Sequence, residues 1–114
     1  MTADQHIDMD AVNALKEVME DDFVFLVKTF IQDSEARIET LRTLIHSTDA
    51  DAIRRAAHSF KGSCSNLGAL RLAAFCGALE HNGLQANFET LELEVNVIEQ
   101  EFAKVKATFL ELIA

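Results

Sequence analysis

Proline is absent from this chain, and glycine occurs four times in 114 residues, as Gly62, Gly68, Gly77 and Gly83. These two residue types are the ones that most often interrupt helices or form tight turns. A chain that lacks them has few places to break a helix or to close a hairpin. We therefore expect an all-α fold.

Apolar residues recur at helical spacing in five segments of the sequence. The first two predicted helices cover about 8–18 and 20–46, and the third follows residues 48–51, which resemble a capping box. The fourth covers about 69–82, and the fifth begins at Asn87. Asp8 is suited to cap the first helix, and Gly83 to adopt a left-handed conformation that ends the fourth. Since the connecting loops are short, neighbouring helices should run antiparallel. The sequence predicts a single domain over 1–114, an up-and-down antiparallel four-helix bundle with a short additional N-terminal helix.

The predicted core consists of apolar stripes on the longer helices. The stripes are Phe23, Leu26, Val27, Phe30, Leu41, Leu44 and Ile45 on the second helix, Ile53, Ala57, Phe60, Cys64 and Leu67 on the third, and Leu91, Val95, Ile98, Phe102, Val105, Phe109 and Leu112 on the fifth. The stripe of the fifth helix has the heptad spacing of a coiled coil and could support a dimer. The other helices need it as one wall of their own core, so we expect a monomer.

Charge and hydropathy exclude several classes of function. The formal net charge of −9 argues against nucleic-acid binding, which needs clustered cations. No apolar stretch is long enough to cross a bilayer. Residues 1–10 contain no basic segment followed by an apolar run, so a signal peptide is not expected there. Cys64 and Cys76 fit neither a disulfide framework nor a zinc pattern, and are expected to be free buried thiols in a reducing compartment. We expect a cytoplasmic protein.

The third predicted helix projects a histidine away from its core stripe. On a helical wheel, His58 lies about 160° from Phe60, on the side opposite the buried residues. Lys61 lies within one turn of His58. The remaining polar neighbours on or beside this face are Asp51, Arg54, Arg55 and Ser65. Taken alone, His58 could be an ordinary surface histidine, but its combination with Lys61 and Gly62 favours a functional role.

Gly62 lies one turn beyond His58, in the interior of the predicted helix. A glycine there costs about 1 kcal/mol relative to alanine, and no turn is needed. The missing side chain would let another molecule approach the imidazole closely. Close packing of helices is the alternative explanation, and the outward angle of Gly62 makes it the weaker one.

The segment 57–69, AHSFKGSCSNLGA, resembles the signature of histidine-containing phosphotransfer (HPt) domains. The signature consists of a histidine, a lysine three residues later, a glycine next, small polar residues and a Leu-Gly pair. The following segment, from Leu72 to Gly83, is also similar to the next helix of that family. One position departs from the family, because Leu84 stands where a cation often follows the glycine.

The resemblance implies a phosphorelay intermediate of two-component signalling. A receiver domain with a phosphorylated aspartate would dock on the third helix, His58 would accept the phosphoryl group, and Lys61 would stabilise its charge. The implied partners are the receiver domains of a hybrid sensor histidine kinase and of a response regulator. The chain needs no cofactor of its own, since Mg²⁺ would belong to the receiver. No Gly-rich phosphate-binding loop is present, so autokinase activity is not expected.

Glu80 and Phe25 are further candidates on neighbouring helices. Glu80 lies at the border of the apolar face of the fourth helix and could accept a hydrogen bond from the imidazole, or could be an ordinary surface carboxylate. Phe25 lies about 140° from the core stripe of the second helix. It either docks a partner together with Arg54, Arg55 and Ser65, or packs beneath the first helix, and the sequence favours neither.

Three rival functions fit the sequence less well than the histidine chemistry does. A carboxylate-bridged metal enzyme needs Glu-x-x-His pairs, and no histidine has a glutamate three residues before it. The serines near His58 lack the nucleophile elbow of a hydrolase. Asp4, His6 and Asp8 could form a metal cluster, but such clusters at a terminus are usually coincidental. A non-catalytic helical module that binds receiver domains or kinases is the remaining alternative.

Overall fold

The computed structural model of the chain describes residues 6–47, 49–83 and 87–114. These residues form five helices and no strand: α1 (Met9–Met19), α2 (Asp22–Leu44), α3 (Ala50–Asn66), α4 (Leu70–Asn82) and α5 (Phe88–Leu112). The predicted all-α class and the five predicted helices are confirmed over this part of the chain.

Helices α2 to α5 form an antiparallel four-helix bundle. The pairing of α2 with α5 is visible in two contacts: Lys106 Nζ lies 2.8 Å from Glu35 Oε2, and Arg42 Nη2 lies 2.7 Å from Glu99 Oε1. From the first contact to the second, the residue number rises along α2, from Glu35 to Arg42, and falls along α5, from Lys106 to Glu99. The two helices are therefore antiparallel. α3 packs between α2 and α4 and lies diagonally across the bundle from α5.

The core is built from the stripes that the sequence predicts. Of the predicted stripe residues, Leu26, Leu44 and Leu112 are half-buried, and all the others are buried. At the centre, the Phe30 ring packs edge-on against Phe102 and Phe109, with centroid distances of 6.5 and 5.7 Å. Aromatic pairs prefer this geometry because the positive edge of one ring meets the negative face of another.

α1 is anchored to the turn between α3 and α4. The Asp8 side chain caps α1 by accepting a hydrogen bond from Ala11 N at 3.2 Å, as predicted. The Asp8 backbone N–H donates to Gly68 O at 2.8 Å. Gly68 has a φ of +71°, which favours glycine, and a Cβ there would lie 3.3 Å from the Asp8 carbonyl oxygen. Gly68 therefore permits both the turn and the close approach of α1.

The prediction that Gly83 is left-handed is wrong. Gly83 has a φ of −57° and a ψ of −28°, within the right-handed helical region. A Cβ at this position would lie 3.0 Å from the Leu79 carbonyl oxygen and 3.3 Å from Ile53 Cγ2. A side chain at this position would crowd the Leu79 carbonyl of α4 and Ile53 of α3, which favours glycine here.

Two helix starts also differ from the prediction. α3 begins at Ala50, with Asp49 as its cap, because the Asp49 side chain accepts from Ala52 N at 3.0 Å. Thr48, which the capping pattern included, lies outside the described residues. α2 begins at Asp22, and Glu20 lies in the preceding turn with a φ of 52°.

Across 6–47, 49–83 and 87–114, no helix combines the length and the apolar character needed to cross a bilayer. Cys64 and Cys76 are free thiols, both buried, as the sequence predicts. A hydrogen bond with Cys76, together with burial, raises the pKa of the Cys64 thiol. The Cys64 thiol therefore remains protonated and behaves as a small apolar group in the core.

Candidate functional site

His58 projects from the middle of α3 with 65% of its side chain exposed. The buried side of α3 is formed by Ile53, Ala57, Phe60 and Cys64. Because α3 makes regular helical hydrogen bonds around His58, the backbone that carries the imidazole is fixed. The structure thus places an accessible histidine on a rigid helix, opposite the core.

Glu80 on α4 lies against one nitrogen of the imidazole. The distance between His58 Nδ1 and Glu80 Oε2 is 2.8 Å. An ionised carboxylate only accepts hydrogen bonds, so we assign the ring proton of neutral His58 to Nδ1. Nε2 is then the unprotonated nitrogen and carries the lone pair that can act as a nucleophile.

The second oxygen of Glu80 pairs with Lys61. Lys61 Nζ lies 2.8 Å from Glu80 Oε1, and the Glu80 side chain is 20% exposed. The hydrogen bond from Lys61 is the main cause that lowers the pKa of Glu80, and the hydrogen bond with His58 adds to it. Glu80 is therefore ionised at neutral pH, which is the state that the assignment of Nδ1–H requires.

Gly62 leaves open space beside His58. A Cβ built on Gly62 meets nothing within 4 Å, and the residue is exposed. The alternative explanation, that Gly62 permits close packing of helices, is wrong because no atom of a neighbouring helix comes within 4 Å of this Cβ in the described part of the chain. The space one turn beyond the imidazole is accessible to another molecule.

Arg54 and Arg55 both pair with Asp51 on the same helix. Arg54 Nη2 lies 2.9 Å from Asp51 Oδ1, and Arg55 Nε lies 3.1 Å from Oδ2. The hydrogen bond from Arg54 is the main cause that lowers the pKa of Asp51. Both pairs are exposed to solvent, so they constrain the arginines only weakly.

Arg54 also lines an open groove of about 400 Å³ between α3 and α4. Lys61, Gly77, Glu80 and His81 form the rest of its lining. Ser65, another predicted docking residue, is exposed two turns along α3 from His58.

Phe25 is 73% exposed on α2. The alternative in which α1 covers Phe25 is therefore wrong. Arg37 of α2 contacts α3 beside His58, because its Nη1 donates to Ser59 Oγ at 2.8 Å. Phe25 lies twelve residues earlier in the continuous helix α2, which is about 18 Å along its axis. A partner centred on His58 would reach Phe25 only with its outer edge.

Sequence reasoning missed two features near the site. One is Arg37, whose contact with Ser59 places a further cation against the residue that follows His58. The other is Gly77, which faces the side chain of Lys61. For Gly77, the available signal was a glycine in the interior of a predicted helix, where no turn is needed. Nothing in the sequence pointed to Arg37.

Two of the other histidines, His6 and His46, lie apart from the site. His6 Nδ1 lies 2.6 Å from Oε2 of the buried Glu101, and the His46 ring stacks on Phe88 at a centroid distance of 4.8 Å. Among the described residues, no group of three or more His, Cys, Asp or Glu is arranged to hold a metal ion. Asp4, one member of the cluster considered above, lies outside the described residues.

Comparison with protein families matches residues 26–108 to the Hpt domain. The crystal structure of histidine-containing phosphotransfer protein B from Pseudomonas aeruginosa PAO1 is similar to this chain. The two share 38% sequence identity and superpose with a TM-score of 0.88, over 96% of this chain and 95% of the other.

Two plant structures show the same fold at lower identity. A rice protein assigned to the histidine-containing phosphotransfer proteins is 19% identical, with a TM-score of 0.87 over 99% of this chain and 85% of its own. The maize histidine-containing phosphotransfer protein ZmHP2 is 20% identical, with a TM-score of 0.85 over 97% and 91%. No curated protein sequence matches the chain.

Proposed function

The chain belongs to the Hpt domain family, and from this premise we propose that His58 is the residue on which it carries a phosphoryl group. As a member of that family, it is a phosphorelay intermediate of two-component signalling. One observation carries the assignment to His58: the exposed imidazole is held at Nδ1 by a carboxylate that also binds the nearest lysine.

The arrangement supports a direct transfer between aspartate and histidine. Nε2 of neutral His58 attacks the phosphorus of a receiver's aspartyl phosphate, the Nε2–P bond forms, and the P–O bond to the aspartate breaks. The aspartate leaves as a carboxylate, and the ring, still protonated at Nδ1, becomes positively charged. Glu80 stabilises this charge through its hydrogen bond with Nδ1. The reverse sequence returns the phosphoryl group to the aspartate of another receiver.

Lys61 and Gly62 assist the transfer in different ways. The Lys61 ammonium lies one turn from His58 and stabilises the negative charge of the transferring phosphoryl oxygens, as cations do in phosphoryl transfer generally. Gly62 keeps the space beside the ring open for the receiver and its phosphoryl group. We assign no catalytic step to other residues.

Hpt domains partner with receiver domains. The proposal is more specific: one receiver belongs to a hybrid sensor histidine kinase and the other to a response regulator, and both contain the Mg²⁺ that the transfer requires. We further propose that the chain acts as a cytoplasmic monomer. The single core shared by α2 to α5 supports the monomer, because it uses the α5 stripe that a coiled-coil dimer would need.

The proposed docking surface surrounds His58 on α3 and extends to α2. Arg54, Arg55 and Ser65 are exposed or half-exposed around the histidine, and Phe25 lies toward the edge. A standard interface of about 800 Å² per partner has a radius of about 16 Å. The interface would therefore include the α3 residues, whereas Phe25, about 18 Å along α2 from Arg37, would lie at or just beyond its rim.

His58→Gln tests the proposal. The parent and the variant are each incubated with two kinds of phosphoryl donor. One is a panel of receiver domains phosphorylated with labelled acetyl phosphate. The other is labelled phosphoramidate, a small donor that needs no docking. The parent should take up label that is acid-labile and base-stable, as a phosphoramidate bond is. The variant should take up none, because glutamine has no nucleophilic ring nitrogen, and its melting point should change by no more than about 2 °C, since an exposed residue is replaced.

Label on the His58→Gln variant would show that another residue is the acceptor. Failure of the parent to react with any receiver and with phosphoramidate would favour the non-catalytic interaction module. If the parent reacted with phosphoramidate but with no receiver, the assignment of His58 as the nucleophile would stand. The prediction that receivers in the panel are its partners would be contradicted.

A further inference from the structure

We propose that Gly77 on α4 is a positioning residue for Lys61, because its missing side chain provides the space through which the Lys61 stem reaches Glu80. The inference rests on the proposed role of Lys61 in phosphoryl transfer. Neither the fold nor the proposed reaction otherwise explains why position 77 is a glycine.

The conformation of Gly77 does not require glycine. The residue lies within α4 (Leu70–Asn82), and Gly68 is the glycine with a positive φ in the described part of the chain. Glycine is disfavoured in the interior of a helix relative to alanine, because it loses more conformational freedom on folding. A glycine with ordinary helical geometry therefore suggests that a side chain at this position would interfere with something.

The group it would interfere with is the Lys61 side chain. A Cβ built on Gly77 would lie 3.3 Å from Lys61 Cδ, and among the described residues outside α4 no other atom lies within 4 Å of it. This distance is shorter than a comfortable contact between carbon atoms. The backbone and the core are not involved, so a substitution would act on the Lys61 stem.

The position of Gly77 on α4 explains why the stem passes there. Gly77 and Glu80 are three residues apart and therefore lie on the same face of α4. Lys61 crosses from α3 over Gly77 and ends with Nζ 2.8 Å from Glu80 Oε1. Cδ is two bonds from Nζ, so a side chain that displaces Cδ also moves the ammonium away from Glu80 and from the phosphoryl group.

The test is a graded series, Gly77→Ala and Gly77→Leu, made in the parent and in Lys61→Ala. Transfer from a receiver domain that labels the parent is measured under single-turnover conditions. Alanine should slow transfer several-fold, and leucine should slow it to the rate of Lys61→Ala. Misplacement of a reacting or stabilising group by about 1 Å can cost about 100-fold in rate. In the Lys61→Ala background, neither substitution should change the rate further.

A second readout separates positioning from a structural effect. The titration of the Glu80 carboxyl, followed by ¹³C NMR, should move toward its ordinary pKa in Gly77→Leu, because the lysine that lowers this pKa has been displaced. Ala78 is exposed on the next position of α4, so Ala78→Leu is the matched control. It should leave both the transfer rate and the titration unchanged.

The possible failures are distinguishable. A Gly77→Leu variant with the parent's rate and the parent's Glu80 titration would refute the role of Gly77, while the parent would still transfer normally. An equal loss of rate in the Lys61→Ala background would also refute it, since the leucine would then obstruct the receiver itself. If His58→Gln takes up label in the same assay, the proposed function fails, whatever the Gly77 series shows.

Discussion

Substitution of Gly62 should raise the stability of the protein while it slows transfer. Gly62 lies within α3 with ordinary helical geometry, and a Cβ there meets nothing within 4 Å. Gly62→Ala therefore gains the full difference in helix propensity, about 1 kcal/mol, and Gly62→Gln gains about half of it. For a domain of this size, 1 kcal/mol corresponds to a rise in Tm of about 4 °C.

Function should change in the opposite direction, because the space beside His58 would be filled. Transfer from a phosphorylated receiver should fall slightly in Gly62→Ala and by about tenfold or more in Gly62→Gln, since small displacements of reacting groups are costly. Reaction of His58 with phosphoramidate should change little, because this small donor approaches the imidazole without docking. The ratio of the two rates therefore measures how strongly the side chain obstructs the receiver.

Gly83→Ala is the matched control for stability. The same chemical change would place a Cβ 3.0 Å from the Leu79 carbonyl oxygen and 3.3 Å from Ile53 Cγ2. We expect it to destabilise the protein by about 1–2 kcal/mol, because packed backbone would have to shift. If Gly62→Gln transferred from the receiver at the parent's rate, steric clearance would be the wrong explanation for Gly62. A fall in Tm for Gly62→Ala would show that its surroundings are not open.

Two further predictions concern Phe25 and Glu80. Phe25→Ala should lower the rate of transfer at limiting receiver concentration, with little change in Tm because the ring is 73% exposed; a large fall in Tm with normal transfer would contradict its docking role. The Glu80 carboxyl should titrate below 4.5, and Lys61→Ala should raise its pKa, because the hydrogen bond from Lys61 is the main cause of the lowering. The lowered pKa of Glu80 stabilises the folded protein fully above pH 4.5, and this stabilisation should be lost as the pH falls through the lowered pKa. The difference in Tm between the parent and Glu80→Gln should therefore shrink in acid. A Glu80 titration that does not respond to Lys61→Ala would contradict the ion pair.

The fold and the exposed histidine could be predicted because both depend on residues within single helices. The spacing of Ile53, Ala57 and Phe60 defines the buried side of α3, and the position of His58 relative to them follows from helical geometry alone. The absence of proline makes the helices themselves easy to recognise. No information about neighbouring helices is needed for either inference.

The features that were missed depend on contacts between helices. Gly83 was assigned a left-handed conformation because glycine often ends helices, whereas its actual role is to admit Ile53 of α3. The contact of Gly77 with Lys61 likewise requires the register of α3 against α4. A helical wheel gives the face of a residue but neither this register nor the rotation of one helix against the other.

Glu80 illustrates why the register matters for the chemistry. In the resting site, its two oxygens bind Nδ1 of a neutral ring and the ammonium of Lys61. The proposed transfer to His58 adds a phosphoryl group with a charge of about −2 and makes the ring cationic. Lys61 then has a second anionic partner, while Glu80 has gained a cationic one. Each charge that appears during transfer thus meets an opposite charge already in place, so the electrostatics of the site stabilise the phosphorylated state of His58.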